Sequence, residues 1–198
     1  IANSLDPQLL NASPWLVYWS ALQKLDAAPA EAQEGFRQAY SEFRNLNDHT
    51  GHLLAWSGMV ESVLAQREDQ HPLDDWIERY DVLADNSGGN LANGLDVQVI
   101  TARLGALLYR QPEHADLPTL ALDGISLLRS ARDAATLLRL ARRLIRYYLW
   151  VGEPARAEIA LESTNAMTTQ MVFTRAQEAE LDAMRLELCR YAASPATC

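Results

Sequence analysis

The residues of this chain whose types and spacing could do chemistry fall in a few short stretches. "DHTGH" sets His49 and His52 three residues apart beside Asp48. Two imidazoles and a carboxylate could hold a metal ion. However, no fourth ligand is apparent, and Gly51 is expected to break a helix here, so the stretch reads as turn and cap residues. "DDWIERYD" carries Asp74, Asp75, Glu78 and Asp81. Paired carboxylates can do acid–base work. On a helix this run instead reads as a solvated face, with Trp76 and Tyr80 turned inward and the early acids at the positive end of the helix dipole. "NSGGNLANG" is rich in glycine but has no nearby lysine and no preceding strand, so it reads as a connection rather than a phosphate cradle. His71 and His114 sit at a helix start and in a polar loop. Cys189 falls on a helical pattern, where a small core residue is expected rather than a nucleophile. No catalytic residue, metal site or cofactor is assigned.

The densest chemistry lies in "DAATLLRLARRLIRYYLWVG". Leu137, Leu138, Ala141, Leu144, Ile145 and Tyr148 form an apolar stripe, and Arg139, Arg142, Arg143 and Arg146 take much of the remaining surface. Two readings are open. The arginines bridge carboxylates of adjoining helices, or they form an anion-reading edge of forked guanidinium contacts. Helical geometry puts Arg139, Arg142 and Arg146 on one face, as the reading edge, and leaves Arg143 for a structural ion pair. Aromatic residues supply a possible floor for a peptide or small ligand, with Trp19, Trp56, Tyr109 and Trp150 as candidates alongside Trp15, Tyr18, Tyr147 and Tyr148.

Helices must position these residues. Nearly every long segment has helical periodicity, and none shows sustained two-residue alternation. Ser13-Pro14 opens a helix to about residue 26, and Pro29 opens a second to about residue 46 with Phe36, Tyr40 and Phe43 on one face. Further helices are expected over about 51–66, 72–85, 95–110, 118–131 and 133–151, then from Pro154, and finally over 171–191. The second helix of each pair begins at a proline: Pro29, Pro72, Pro118 and Pro154. A small, a large and a third residue follow on one stripe. They are Ala32, Phe36 and Ala39; Ala121, Ile125 and Leu128; and Ala157, Leu161 and Thr164. Trp76, Tyr80 and Leu83 repeat this with a slip of one residue. A small residue lets a partner helix approach, and a large one fills the groove. The expectation is an all-α right-handed superhelix of about four antiparallel helix pairs plus a C-terminal helix, one repeat domain over 1–198.

Ala32-x3-Phe36-x2-Ala39 resembles the second-helix half of a tetratricopeptide repeat, and Trp19-x2-Leu22 resembles the opening of a first helix. "YLWVGEPARAEIAL" is similar to the inter-helix turn of such repeats. The departures are repeats longer than about 34 residues, Gln23 where the first helix would carry glycine, and no closing proline. "FRQAYSEFRNLNDHTGHLLAW" and "LGALLYRQPEHADLP" resemble the longer repeats of MalT-like and SARP-type bacterial transcriptional activators. That resemblance implies a sensor or interaction region next to DNA-binding and nucleotide-binding parts.

Composition narrows the partners. The chain has 198 residues and a formal net charge of −9. Residues 1–90 hold five Lys/Arg against fourteen Asp/Glu, and residues 91–198 hold twelve of each. Bulk acidic charge repels phosphate backbones, so nucleic acid is not an expected partner of this segment. No apolar run approaches the roughly 20 residues that span a bilayer. The start at Ile1 suggests a piece of a larger protein, and two cysteines, Cys189 and Cys198, suggest reduced thiols in the cytoplasm. The function expected is a non-enzymatic module that binds a protein or peptide segment or a small anionic effector. Scaffold or co-chaperone repeats and an enzyme's helical accessory domain are the alternatives.

Overall fold

A computed structural model describes residues 13–86 and 96–191, all of whose regular structure is helical. The expected loop around Gly88, Gly89 and Gly94 and the tail at Cys198 lie outside the described residues. The chain divides into two compact units, 1–112 and 113–198. The boundary falls inside the third expected helix pair.

The first unit holds α1 (Pro14–Lys24), α2 (Pro29–Asn45), α3 (His49–Gln66), α4 (Pro72–Asn86) and α5 (Asp96–Arg110). Proline begins α1, α2 and α4, where its missing N–H is one that no helix could satisfy. α3 packs against all four of the others. Its residues 51–63 are buried without a break, most of them apolar, with His52, Ser57, Glu61 and Ser62 buried among them, as a central helix packed by several others requires. Its fit against α2 rests on two glycines. A Cβ on Gly51 would stand 2.6 Å from Phe43 Cγ, and one on Gly58 would stand 2.7 Å from Phe36 Cγ. Each glycine is thus a socket for a fully buried phenylalanine of α2, seven residues apart on both helices. Gly51, expected to break the helix, lies instead in the first turn of α3. Its side-chain vacancy decides its role, not its backbone freedom. α1 meets α2 through a third small contact, at Ala21 and Gly35. α5 is tied back to α1 by the Tyr18 hydroxyl, which donates to Gln98 Oε1 at 3.1 Å.

The second unit holds α6 (Leu117–Leu127) with a 3₁₀ turn at Leu128–Ser130, then α7 (Ala134–Trp150), α8 (Pro154–Met167) and α9 (Arg175–Tyr191). α7 packs against α6, α8 and α9 through the apolar stripe expected from its sequence. Asp133 caps it by accepting from the Thr136 N–H at 2.8 Å.

Two hairpin turns share one construction. After α2, Asn47 takes the left-handed conformation at φ 53°, and Asp48 and Asn47 donate their N–H groups to the carbonyls of Phe43 and Arg44. After α7, Gly152 does the same at φ 79°, with Glu153 donating to Tyr148 and Gly152 to Leu149. This reversal satisfies two orphan carbonyls and redirects the chain within three residues. Asparagine and glycine are the residues that tolerate it best. "VGEPA" therefore encodes a stop, a left-handed residue and a proline start. The stripe alanines Ala32, Ala121 and Ala157 all have no solvent exposure, as expected of the close-approach positions.

Cys189 is disulfide-bonded, which corrects the expectation of reduced thiols. Disulfides persist chiefly in oxidising compartments, so the cysteines do not support the expected cytoplasmic setting. Among the described residues no helix is long and apolar enough to cross a membrane.

Candidate functional site

The residues singled out from the sequence are divided between the two units. Trp19, Trp56 and Tyr109 belong to the first, and Arg139, Arg142, Arg146 and Trp150 to the second. Trp56 is fully buried, stacks on Tyr80 with centroids 4.8 Å apart, and donates its indole N–H to the Trp76 carbonyl at 2.7 Å. It is a core residue of α3 and lines no groove, because every side of α3 is covered. Trp19 is about half exposed and meets Tyr18 edge-on, whereas the fully buried Trp56 offers no surface to share with it. Tyr109 and Trp150 are exposed at 54% and 58%, each at the end of its helix.

On α7 two of the arginines expected at a reading edge are in ion-pair contact with a neighbouring helix. Arg142 is in ion-pair contact with Glu180 of α9, both side chains being about 30% exposed. Arg146 faces Glu187 of the same helix at 3.8 Å. Two of the three arginines assigned to a ligand thus neutralise carboxylates of a neighbouring helix. Arg139 and Arg143 are half-buried beside them. The sequence alone could not reveal this, since Glu180 and Glu187 lie in an acidic helix whose docking face is a tertiary matter.

The acidic stretch of α4 is likewise more than a solvated face. Arg110 of α5 donates two hydrogen bonds to Asp74, at 2.8 and 2.6 Å. These bonds hold the Asp74 carboxyl below its usual range and raise the Arg110 guanidinium above its own. Arg103, also on α5, lies over the Tyr80 ring at 4.2 Å.

The stretch first set aside, "NDHTGH", turns out to border a cavity of about 320 Å³. Its apolar wall is Tyr40 and Phe43 of α2 with Val82 and Leu83 of α4. Its polar groups are Arg44 at the end of α2, Asn47 and Asp48 in the tight turn, His49 and His52 at the start of α3, and Arg79 on α4. Each is where it is for a local reason. The Asn47 turn folds α3 back beside α2, so Arg44 and His52 flank one opening. The Asp48 carboxylate is spoken for, since Oδ1 accepts from the Gly51 N–H at 2.9 Å and caps α3. Tyr40 sets its ring against His52 at 4.1 Å and edge-on to Trp76 at 5.2 Å, and Arg79 lies over Trp76 at 5.0 Å.

His52 is the unusual member. Its side chain is buried, and its Nε2 has no hydrogen-bond partner among the described residues. Burial, with the nearby positive charges of Arg44 and His49, lowers its pKa to about 4, so the ring is neutral at pH 7. No group of His, Cys, Asp and Glu among the described residues is arranged to hold a metal ion, and His49, His52 and Asp48 do not converge as one. The cleft is suited to noncovalent binding through guanidinium groups and one unsatisfied imidazole nitrogen.

The class defined so far is an all-helical protein of packed helix hairpins with a basic cleft in an acidic unit. No family model, curated protein or solved structure matches the chain.

Proposed function

We propose that this chain is a non-enzymatic ligand-binding module whose site is the α2–α3–α4 cleft. One observation carries the reading. A concave, partly apolar site contains a buried histidine with an unsatisfied nitrogen, and in pockets of this kind a few placed polar groups fix a ligand against an apolar wall. A buried polar atom without a partner costs free energy that a ligand can recover. The volume sits at the small end of the roughly 300–1,000 Å³ of ligand pockets, which favours a small molecule over a long peptide.

The resemblance to MalT-like and SARP-type activators supports placing such a module beside output domains. Ligand occupancy would then bias the packing of α2, α3 and α4, and through it the attached parts. The test is a thermal-shift and calorimetric screen of the purified chain against a metabolite library, run beside a pull-down. Saturable binding of a small molecule supports the module. Capture of protein alone, with no small-molecule binding, would replace it with the scaffold reading.

A further inference from the structure

The cleft between α2, α3 and α4 has a charge that does not fit its surroundings. Residues 1–90 carry fourteen acidic side chains against five basic ones. Lys24 pairs with Glu31, and Arg37 contacts Glu34. Arg44 and Arg79, which stand on different helices, both line the cleft. Neither has a carboxylate within ion-pair distance among the described residues, although α4 alone carries Asp74, Asp75, Glu78 and Asp81. Two arginines left without carboxylates in so acidic a unit are placed to meet an anion from outside.

The remaining lining refines the class. Asp48 contributes one negative charge, and its Oδ1 is occupied by the α3 cap. Against it stand the two guanidiniums of Arg44 and Arg79, with His52 neutral, a net of one positive charge. The balance suits a single negative charge better than two. Tyr40, Phe43, Val82 and Leu83 supply an apolar surface that a bare inorganic ion would leave unused. Tyr40 supplies an aromatic ring with the buried Phe43 behind it, and His52, whose Nε2 lacks a partner among the described residues, lines the same cleft.

We propose that this cleft binds a small organic monoanion, an apolar or aromatic body bearing one carboxylate, with the carboxylate held by Arg44 and Arg79 and a hydrogen bond formed with His52 Nε2. The inference rests on the module reading above and names its ligand class. A carboxylate against a guanidinium is a charge-assisted, bidentate-capable pair, the strongest ordinary hydrogen-bonding arrangement available here. His52 then gains the partner it lacks.

The experiment titrates the full chain with benzoate, with its neutral isostere benzamide, and with inorganic phosphate, followed by calorimetry and by NMR of the histidine ring resonances. Benzoate is expected to bind saturably and to shift the His52 ring signals. Benzamide is expected to bind at least about tenfold more weakly, the loss of one charge-assisted interaction. Phosphate should also be weaker than benzoate, since it leaves the apolar wall bare. The double substitution Arg44→Ala/Arg79→Ala removes two exposed side chains, leaves the core intact, and should bring benzoate down to the affinity of benzamide. Equal affinity for benzoate and benzamide, or unchanged benzoate binding in the double variant, overturns the anion assignment while leaving a neutral-ligand module standing. Saturation by phosphate at lower concentration than benzoate overturns the organic-body part. Failure of benzoate to saturate overturns the inference, and only a blank library screen in addition would remove the module itself.

Discussion

Gly58→Ala sets two physical effects against each other, and the structure says which wins. Gly58 lies in the middle of α3, where replacing glycine by alanine stabilises a helix by about 1 kcal/mol through propensity alone. Against this, the new Cβ would stand 2.7 Å from Phe36 Cγ and closer still to two other ring carbons. Ordinary carbon–carbon contact is about 3.5–4.0 Å, so α2 and α3 must part by about 1 Å or the ring must turn. Phe36 has no solvent exposure, and neighbours on every side block that rotation. Overpacking of this kind costs about 1–3 kcal/mol. Net destabilisation of about 0–2 kcal/mol is expected once the propensity gain of about 1 kcal/mol is subtracted, toward the upper end because Phe36 cannot move aside. Four of the five tryptophans, Trp15, Trp19, Trp56 and Trp76, lie in the first unit, so urea unfolding followed by tryptophan fluorescence reports on it. The same change in a Phe36→Leu background should cost less than in the wild type, with a coupling of about 1 kcal/mol or more in the double-mutant cycle. A Gly58→Ala protein more stable than wild type would refute the socket argument.

Three further outcomes are expected. The folded pKa of His52, about 4 against 6.5 when unfolded, lies among Arg44, Asp48, His49 and Arg79, so its contribution to stability is full above pH 6.5 and is lost as pH falls toward 4. The loss by pH 5 is about 2 kcal/mol, and His52→Gln should flatten the pH 7 to pH 5 difference in urea stability by that amount. An unchanged difference would mean that His52 titrates normally. Arg142→Ala should cost about 1–2 kcal/mol because it strands a half-buried Glu180, whereas Arg146→Ala, at an exposed pair, should cost less than about 0.5 kcal/mol. Thermal melts showing the reverse order would mean that the Arg142–Glu180 pair contributes little to stability. Ala157→Leu should lower stability by about 1–3 kcal/mol by overpacking α8, where Ala157 has no exposure; a neutral result would show that the position has slack.

The sequence by itself determined the helices and most of their ends. Proline starts, the Asp133 cap and the Gly152-Glu153-Pro154 turn act through the backbone of a few adjacent residues, so they are legible without any partner. The stripe of Ala32, Phe36 and Ala39 was legible for the same reason, since a helix fixes which residues share a face. Only the tertiary structure decided that Trp56 is core while Trp19 is half exposed. Both aromatics have similar helical surroundings, and burial depends on how many helices enclose α3. It also decided that Arg142 meets Glu180, that Asp74 meets Arg110, and that Gly51 is a socket rather than a break. Each of these pairs or fits groups on separate helices, and local pattern carries no information about which helix arrives opposite. The cleft escaped for that reason too. Arg44 and Arg79 are 35 residues apart in sequence and become neighbours of His52 only when α4 packs beside the α2–α3 turn.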